Sequence, residues 1–246
     1  DMLDAQYTGR IEGYTYAREG HPNATRLAQM IDALEGVAGG TVTGSGMAAV
    51  TAALLGVLKA GGHVIGGDQL YGRSLRMLTQ DLPRLGIATS LADPTGAAAI
   101  AAAIRPETRM VLIEVVSNPT LRVADLAGIA ALTRARGILL AVDNTFTTPR
   151  GLRPAEHGAD IVIQSVTKIL AGLGWVAATE PAVNEAMRVF AVTTGMTASP
   201  FDCWLAERGL MTFPLRYDRA EGNAAALADH LATLPGVERV LYPTRP

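Results

Sequence analysis

Between residues 24 and 34, apolar side chains recur at Leu27, Met30, Ile31 and Leu34, the spacing that lines one face of a helix. Gly36, Gly39 and Gly40 follow and close it. From there strand-like runs alternate with helical stretches. The pattern predicts strands over 41–43, 63–66, 87–91, 110–115, 138–142 and 160–163, the last ending at Gln164. It predicts helices over 47–59, 75–82 and 97–104, and another capped by Asp125 that carries Leu126, Ile129, Ala130 and Leu132. The run Met110-Val111-Leu112-Ile113-Glu114-Val115 is nearly all apolar, as befits a strand covered on both faces. This βαβα rhythm implies an α/β fold with a mostly parallel sheet sandwiched by helices. Ligands of such sheets gather beyond the carboxyl ends of the strands. The segments to watch are therefore 44–47, 143–145 and 164–168.

The two ends of the chain break the rhythm. Residues 1–25 are polar, rich in tyrosine and aperiodic, and read as an arm that packs on something else. From 211 a long helical stretch runs to 234, followed by Pro235-Gly236 and a strand-like 237–242. The predicted division is an arm over 1–23, a large α/β domain over 24–212, and the beginning of a small C-terminal domain over 213–246, its remainder lying beyond.

Composition narrows the function classes. With 21 basic and 23 acidic residues spread along 246 positions, no basic cluster offers a nucleic-acid footprint. No apolar run approaches the length of a membrane span, and the first residues carry neither a basic region nor an apolar signal core. A single cysteine, Cys203, excludes an internal disulfide framework and points to a reducing, cytoplasmic setting. The four histidines lie far apart and make no metal spacing.

Three places carry candidate chemistry. Gly44-Ser45-Gly46 stands between a strand and a helix, where free N–H groups and the helix dipole favour an anion. Gly44, Gly46 and Ala49, with Asp68 downstream, also match a dinucleotide fingerprint, and a purely structural tight turn is a third reading. No lysine follows the glycines, which excludes a nucleoside-triphosphate loop. Asp143, next to a buried strand, caps a turn, pairs with a neighbour or faces a cationic ligand atom. Lys168 is either a solvated surface group or, between apolar neighbours and behind two hydroxyls, an amine nucleophile kept dry. Together the three match what pyridoxal 5′-phosphate (PLP) requires: a nest for phosphate, an acid for the pyridine nitrogen, and a lysine for the aldehyde.

At this point the sequence resembles the PLP-dependent enzymes of cysteine and methionine metabolism, the group of cystathionine gamma-synthase, cystathionine gamma-lyase and methionine gamma-lyase. The resemblance runs from Tyr16 to Tyr242 through Y-A-R-E-G-H-P-N (16–23), A-L-E-G (33–36), G-S-G-M-A-A (44–49), L-Y-G (70–72), N-P-T (118–120), D-N-T-F (143–146), Q-S-V-T-K (164–168) and S-P-F-D-C-W-L-A-E-R-G-L-M-T (199–212). It implies a PLP-dependent transferase-like fold of the aspartate aminotransferase type (fold type I). By the same resemblance Lys168 is the Schiff-base lysine, Asp143 the partner of the pyridine nitrogen, and Tyr71 the ring that stacks on the cofactor and helps move protons. Gly46 and Met47 offer backbone donors to the phosphate, Ser165 and Thr167 add hydroxyls, and Asn118 lies near the phenolic oxygen. Tyr16 and Arg18 match residues that reach the phosphate of a neighbouring subunit, which implies a homodimer as the smallest active unit and a homotetramer as the usual assembly.

The implied activity is elimination or replacement at the beta or gamma carbon of sulfur-containing or O-acylated amino acids, with a thiol or second amino acid as co-substrate in the replacement reactions. An O-acylhomoserine sulfhydrylase falls under the same heading. The rival readings are a PLP aminotransferase on the same scaffold, a nicotinamide-dependent oxidoreductase, and a folded but inactive family member. Two departures stand out. His21-Pro22-Asn23 replaces an asparagine-proline-threonine, and Gly172-Leu173-Gly174-Trp175-Val176 follows the lysine where the family carries a histidine and an aspartate in a longer segment. No residue here matches the arginine that grips the substrate carboxylate in the family's small domain.

Overall fold

The protein's computed structural model describes residues 2–8, 10–11, 13–170 and 172–244, with Leu3 and Tyr7 described by backbone alone. Asp1, Gly9, Glu12, Ala171, Arg245 and Pro246, which the predicted arm, lysine segment and C-terminal range include, lie outside the described residues.

The strands are β1 (Thr41–Thr43), β2 (His63–Gly67), β3 (Ala88–Ala92), β4 (Thr108–Glu114), β5 (Leu139–Asp143), β6 (Ile161–Gln164) and β7 (Gly174–Ala178). They form one sheet in the order β1-β7-β6-β5-β4-β2-β3. The pairs from β3 through β6 are parallel, while β7 runs antiparallel to both β6 and β1. Alternate residues of the central strands feed opposite faces. In β4, Val111 and Ile113 join the core of one face, and Met110 and Leu112 that of the other. Two cores, one on each side, explain why the strand reads as continuously apolar.

Helices cover both faces. The first are α1 (Met2–Tyr7), α2 (Pro22–Glu35), α3 (Gly46–Leu55) and α4 (Gly72–Arg76). A single π turn over Met77–Asp81 then leads into the short α5 (Leu82–Arg84). After these come α6 (Ala97–Ala103), α7 (Leu126–Ala135), α8 (Thr148–Gly151), α9 (Pro181–Thr193), α10 (Pro200–Leu210) and α11 (Phe213–Ala232). The caps show why the helices begin where they do. His21 Nδ1 accepts the Ala24 N–H at 3.1 Å, Ser45 Oγ that of Ala48 at 3.1 Å, and Asp125 Oδ1 that of Gly128 at 3.0 Å. His21 therefore caps α2, with Pro22 in the first turn, and its Nε2 donates to the Ala198 carbonyl at 3.0 Å. That is the work done by the first departure from the family pattern.

The structure corrects several expectations. β7 carries no element in the sequence reading, because its glycines mask a strand. It is buried along its whole length, with Trp175 Nε1 donating to Asp32 at 3.0 Å. A Cβ at Gly174 would stand 2.1 Å from the Ser45 carbonyl oxygen, so only glycine lets the strand pass this close to the α3 entry. The helix expected over 47–59 ends at Leu55, where Gly56 takes the cap. The one expected over 75–82 begins at Gly72 and contains the π turn, with Pro83 following. The strand-like 237–242 forms no strand among the described residues: only Tyr242 enters an isolated bridge, and Leu241 is 48% exposed. The arm, read as aperiodic, includes the single-turn helix α1. No helix of the described residues is long and apolar enough to cross a membrane.

Candidate active site

Parallel pairing delivers the ends of β4, β5 and β6 to one edge of the sheet. Glu114 ends β4 opposite Asp143, the last residue of β5, and Asp143 in turn faces Ile163 on β6. Asp143 is thus part of its strand rather than the residue after it. The chain leaving β6 turns at Ser165 and presents Lys168 on the same side. The α3 N-terminus closes that side from above, because a glycine lets it approach: a Cβ at Gly46 would stand 2.5 Å from Ser165 Oγ.

These elements enclose a cavity of about 470 Å³, within the range of small-molecule sites. Gly46, Met47, Tyr71, Asn118, Asp143, Ser165, Thr167 and Lys168, all expected at the site, line it. Tyr16 and Arg18 do not. Arg18 donates to the Val192 carbonyl at 2.9 Å and lies over the Tyr16 ring at 5.2 Å, while Tyr16 is largely exposed. A wider groove of about 680 Å³ beside α9 contains a Glu185–Arg188 ion pair and no convergent chemistry.

Asp143 is oriented by Thr145, whose backbone N–H donates to Oδ1 at 3.0 Å and whose hydroxyl donates to the same atom. Thr145 Oγ1 also accepts the Ser165 N–H at 2.8 Å, tying the two strand ends together. Burial holds the Asp143 carboxyl above the ordinary carboxylate range. The Thr167 hydroxyl is engaged with the Leu173 carbonyl at 3.0 Å. Lys168 is exposed at the rim, so the dry surround expected for it is not built by this chain's described residues. The loop that bears it is short, with Gly172 N donating to Val166 O and Thr167 N to Leu173 O.

Three residues that sequence reasoning passed over belong to the setting. Glu114 lines the cavity, and its carboxyl is pushed up to about 7, first by burial and then by the charge of Asp143. The signal was present: an acid ending an apolar strand is the argument that singled out Asp143. Beneath the site, Glu35 is fully buried and accepts from the Asn144 and Gln164 side-chain amides, at 3.2 and 2.5 Å. Behind the lysine loop, Arg216 of α11 donates to the carbonyls of Ile169, Leu170 and Gly209, the last two at 2.7 and 2.8 Å.

The donor set fits PLP. One end of the cavity offers the α3 N-terminus and Ser165 to an anion, and the buried Asp143 offers a negative partner to a protonated ring nitrogen. Lys168 and the Tyr71 ring stand on the same wall system. A helix terminus, a buried acid and a lysine on one doubly wound sheet define a PLP-type scaffold.

The comparisons name the family. The sequence model of the Cys/Met metabolism PLP-dependent enzymes matches residues 1–246, and the chain belongs to this family, whose cofactor is pyridoxal 5′-phosphate. A probable cystathionine gamma-synthase of Herpetosiphon aurantiacus is 38% identical over 97% of this chain and 76% of its own. The cystathionine gamma-lyase of Bacillus subtilis is 37% identical over 96% of this chain and 63% of its own. The crystal structure of metB from Corynebacterium glutamicum superposes with a TM-score of 0.91 at 34% identity, over 94% of this chain and 62% of that one. Against the last two, the chain spans a little over three fifths of the relative's length.

Proposed function

We propose that the protein is a carbon–sulfur lyase or transferase of trans-sulfuration, catalysing PLP-dependent elimination or replacement at the beta or gamma carbon of sulfur-containing or O-acylated amino acids. The observation that carries this reading is the convergence of Gly46, Asp143 and Lys168 on one cavity in a chain of this family. When bound, PLP supplies an electron sink for the carbanion formed at the substrate alpha carbon. The Gly46 and Met47 N–H groups with Ser165 and Thr167 hold the phosphate. Asp143 would keep the proton on the ring nitrogen, Asn118 would donate near the phenolic oxygen, and Tyr71 would cover one ring face. Lys168 Nζ would hold the cofactor aldehyde and, when free, would serve as the base for the substrate alpha proton. For a gamma leaving group the same amine and the Tyr71 hydroxyl would move a beta proton.

Residues 24–212 form the cofactor domain in this reading, 213–246 begin a second domain, and the arm over 1–23 carries Tyr16 and Arg18 to a neighbouring subunit's phosphate. A homodimer is then the smallest active unit and a homotetramer the assembly, in the cytoplasm. Both an eliminase and a synthase fit, since relatives named cystathionine gamma-synthase, cystathionine gamma-lyase, methionine gamma-lyase and O-succinylhomoserine sulfhydrylase lie within 35–38% identity. The deciding assay offers cystathionine, methionine, and an O-acylhomoserine with a thiol, and measures keto acid and thioether. Lys168→Ala should lose all turnover and all borohydride-fixable PLP. Fixation on another lysine in that variant would overturn the assignment.

A further inference from the structure

We infer that Glu114 is a positioning residue for the cofactor, carrying the backbone of Tyr71 on a carboxyl that is left half-satisfied. The inference rests on the reading of the cavity as a PLP site. Tyr71 is held at its backbone: its N–H donates to Glu114 Oε1 at 2.7 Å. Tyr71 begins the turn into α4, with no side-chain cap of its own, and its ring is 46% exposed. The Glu114 contact is therefore what fixes where the ring enters the cavity.

The other oxygen argues that this is function rather than stability. Glu114 Oε2 is shut off from solvent and finds no hydrogen-bond partner among the described residues. It also stands beside Asp143, a like charge that raises its proton affinity. A buried carboxyl in that position costs stability. A residue retained only to hold the fold would be satisfied at both oxygens or replaced by an apolar one. Protonated Glu114 resembles an amide, with one accepting oxygen and one donor, so glutamine reproduces the contact to Tyr71 without the charge.

The test compares wild type, Glu114→Ala and Glu114→Gln in the full chain by two readouts that need no turnover: the PLP dissociation constant and the thermal midpoint of the PLP-free protein. Glu114→Ala is expected to weaken PLP by roughly tenfold, the scale of one lost hydrogen bond, while its PLP-free midpoint stays level or rises. Glu114→Gln should bind PLP within about threefold of wild type. Unchanged affinity in Glu114→Ala overturns the inference. So does a fall in its PLP-free midpoint, which makes the residue structural, or a glutamine variant as weak as alanine. A wild-type chain that takes up no PLP instead sinks the proposed function itself.

Discussion

Two glutamates, one buried and one half-buried, lie under the same sheet edge, and both are pushed up to about 7, yet their surroundings are opposite. Glu35 comes from α2, on the far side of the strand ends, and both its oxygens receive amide hydrogens from Asn144. Gln164 adds another. Those amides follow Asp143 and precede Ser165, so Glu35 is a bolt through the two segments that carry the site. Glu114 lies in the cavity wall with only one oxygen engaged. The difference teaches that equal proton affinity has two sources. At Glu35 burial acts against a full set of donors, whereas at Glu114 burial is reinforced by Asp143.

The most damaging way to probe this contrast is to remove the bolt. Glu35→Ala opens a cavity and strips the Asn144 and Gln164 amides of their charged acceptor, each keeping only a backbone carbonyl, of Leu152 and Asn144. The expected loss is about 3 kcal/mol in urea unfolding of the PLP-free chain, against none for Glu114→Ala. Equal losses in both variants would erase the distinction between anchor and wall.

A smaller effect separates the two through pH. Glu35 moves from 4.5 to about 7 on folding, so between these values the folded chain binds more protons than the unfolded one. Its contribution is fully present below about 4.5 and is lost as pH rises through 7. The Asn144 Oδ1 and Gln164 Oε1 atoms are buried without partners among the described residues, and Glu35→Gln removes the titrating group while keeping an accepting oxygen. Glu35→Gln should therefore flatten the decline of stability from pH 5 to 8 by roughly 1–3 kcal/mol. An unchanged slope would mean that Glu114, Asp143 and Asp32, all raised by burial, account for it.

How much of this was legible in the sequence follows from what each residue depends on. The central parallel strands were readable because they fill two cores with their own side chains, as Met110 to Ile113 do. Asp143 and Lys168 were readable because strand ends attract ligands whatever lies around them. β7 was not, because Gly174 is there for the Ser45 backbone rather than for strand propensity. Glu35 and Glu114 escaped for a similar reason. Their partners lie 109 and 43 residues away in the chain, and no local period records such contacts.

The smallest effect concerns the other support of the lysine loop. Glu35 braces Gln164 from below, and Arg216 grips the carbonyls of Ile169 and Leu170 from α11, the helix that opens the C-terminal segment. Arg216 is exposed, so water competes for its hydrogen bonds and its truncation should cost about 1 kcal/mol or less of global stability. The local consequence is larger than the global one. Among its described residues the loop from Val166 to Leu173 is otherwise tied by its own short turn, with Gly172 N on Val166 O, Thr167 N and hydroxyl on Leu173 O, and Lys168 N on Ser165 O. Arg216→Ala should speed hydrogen exchange across 166–173 several-fold while β6, buried along its length, keeps its protection. The same variant should lower the rate at which borohydride fixes PLP on Lys168, because the amine then samples more positions. Arg216→Lys should recover only part of both effects, since one ammonium cannot span carbonyls that the guanidinium fork reaches together. Exchange unchanged across 166–173 would show that α11 merely rests on the loop, and that the lysine is placed by β6 and Glu35 alone.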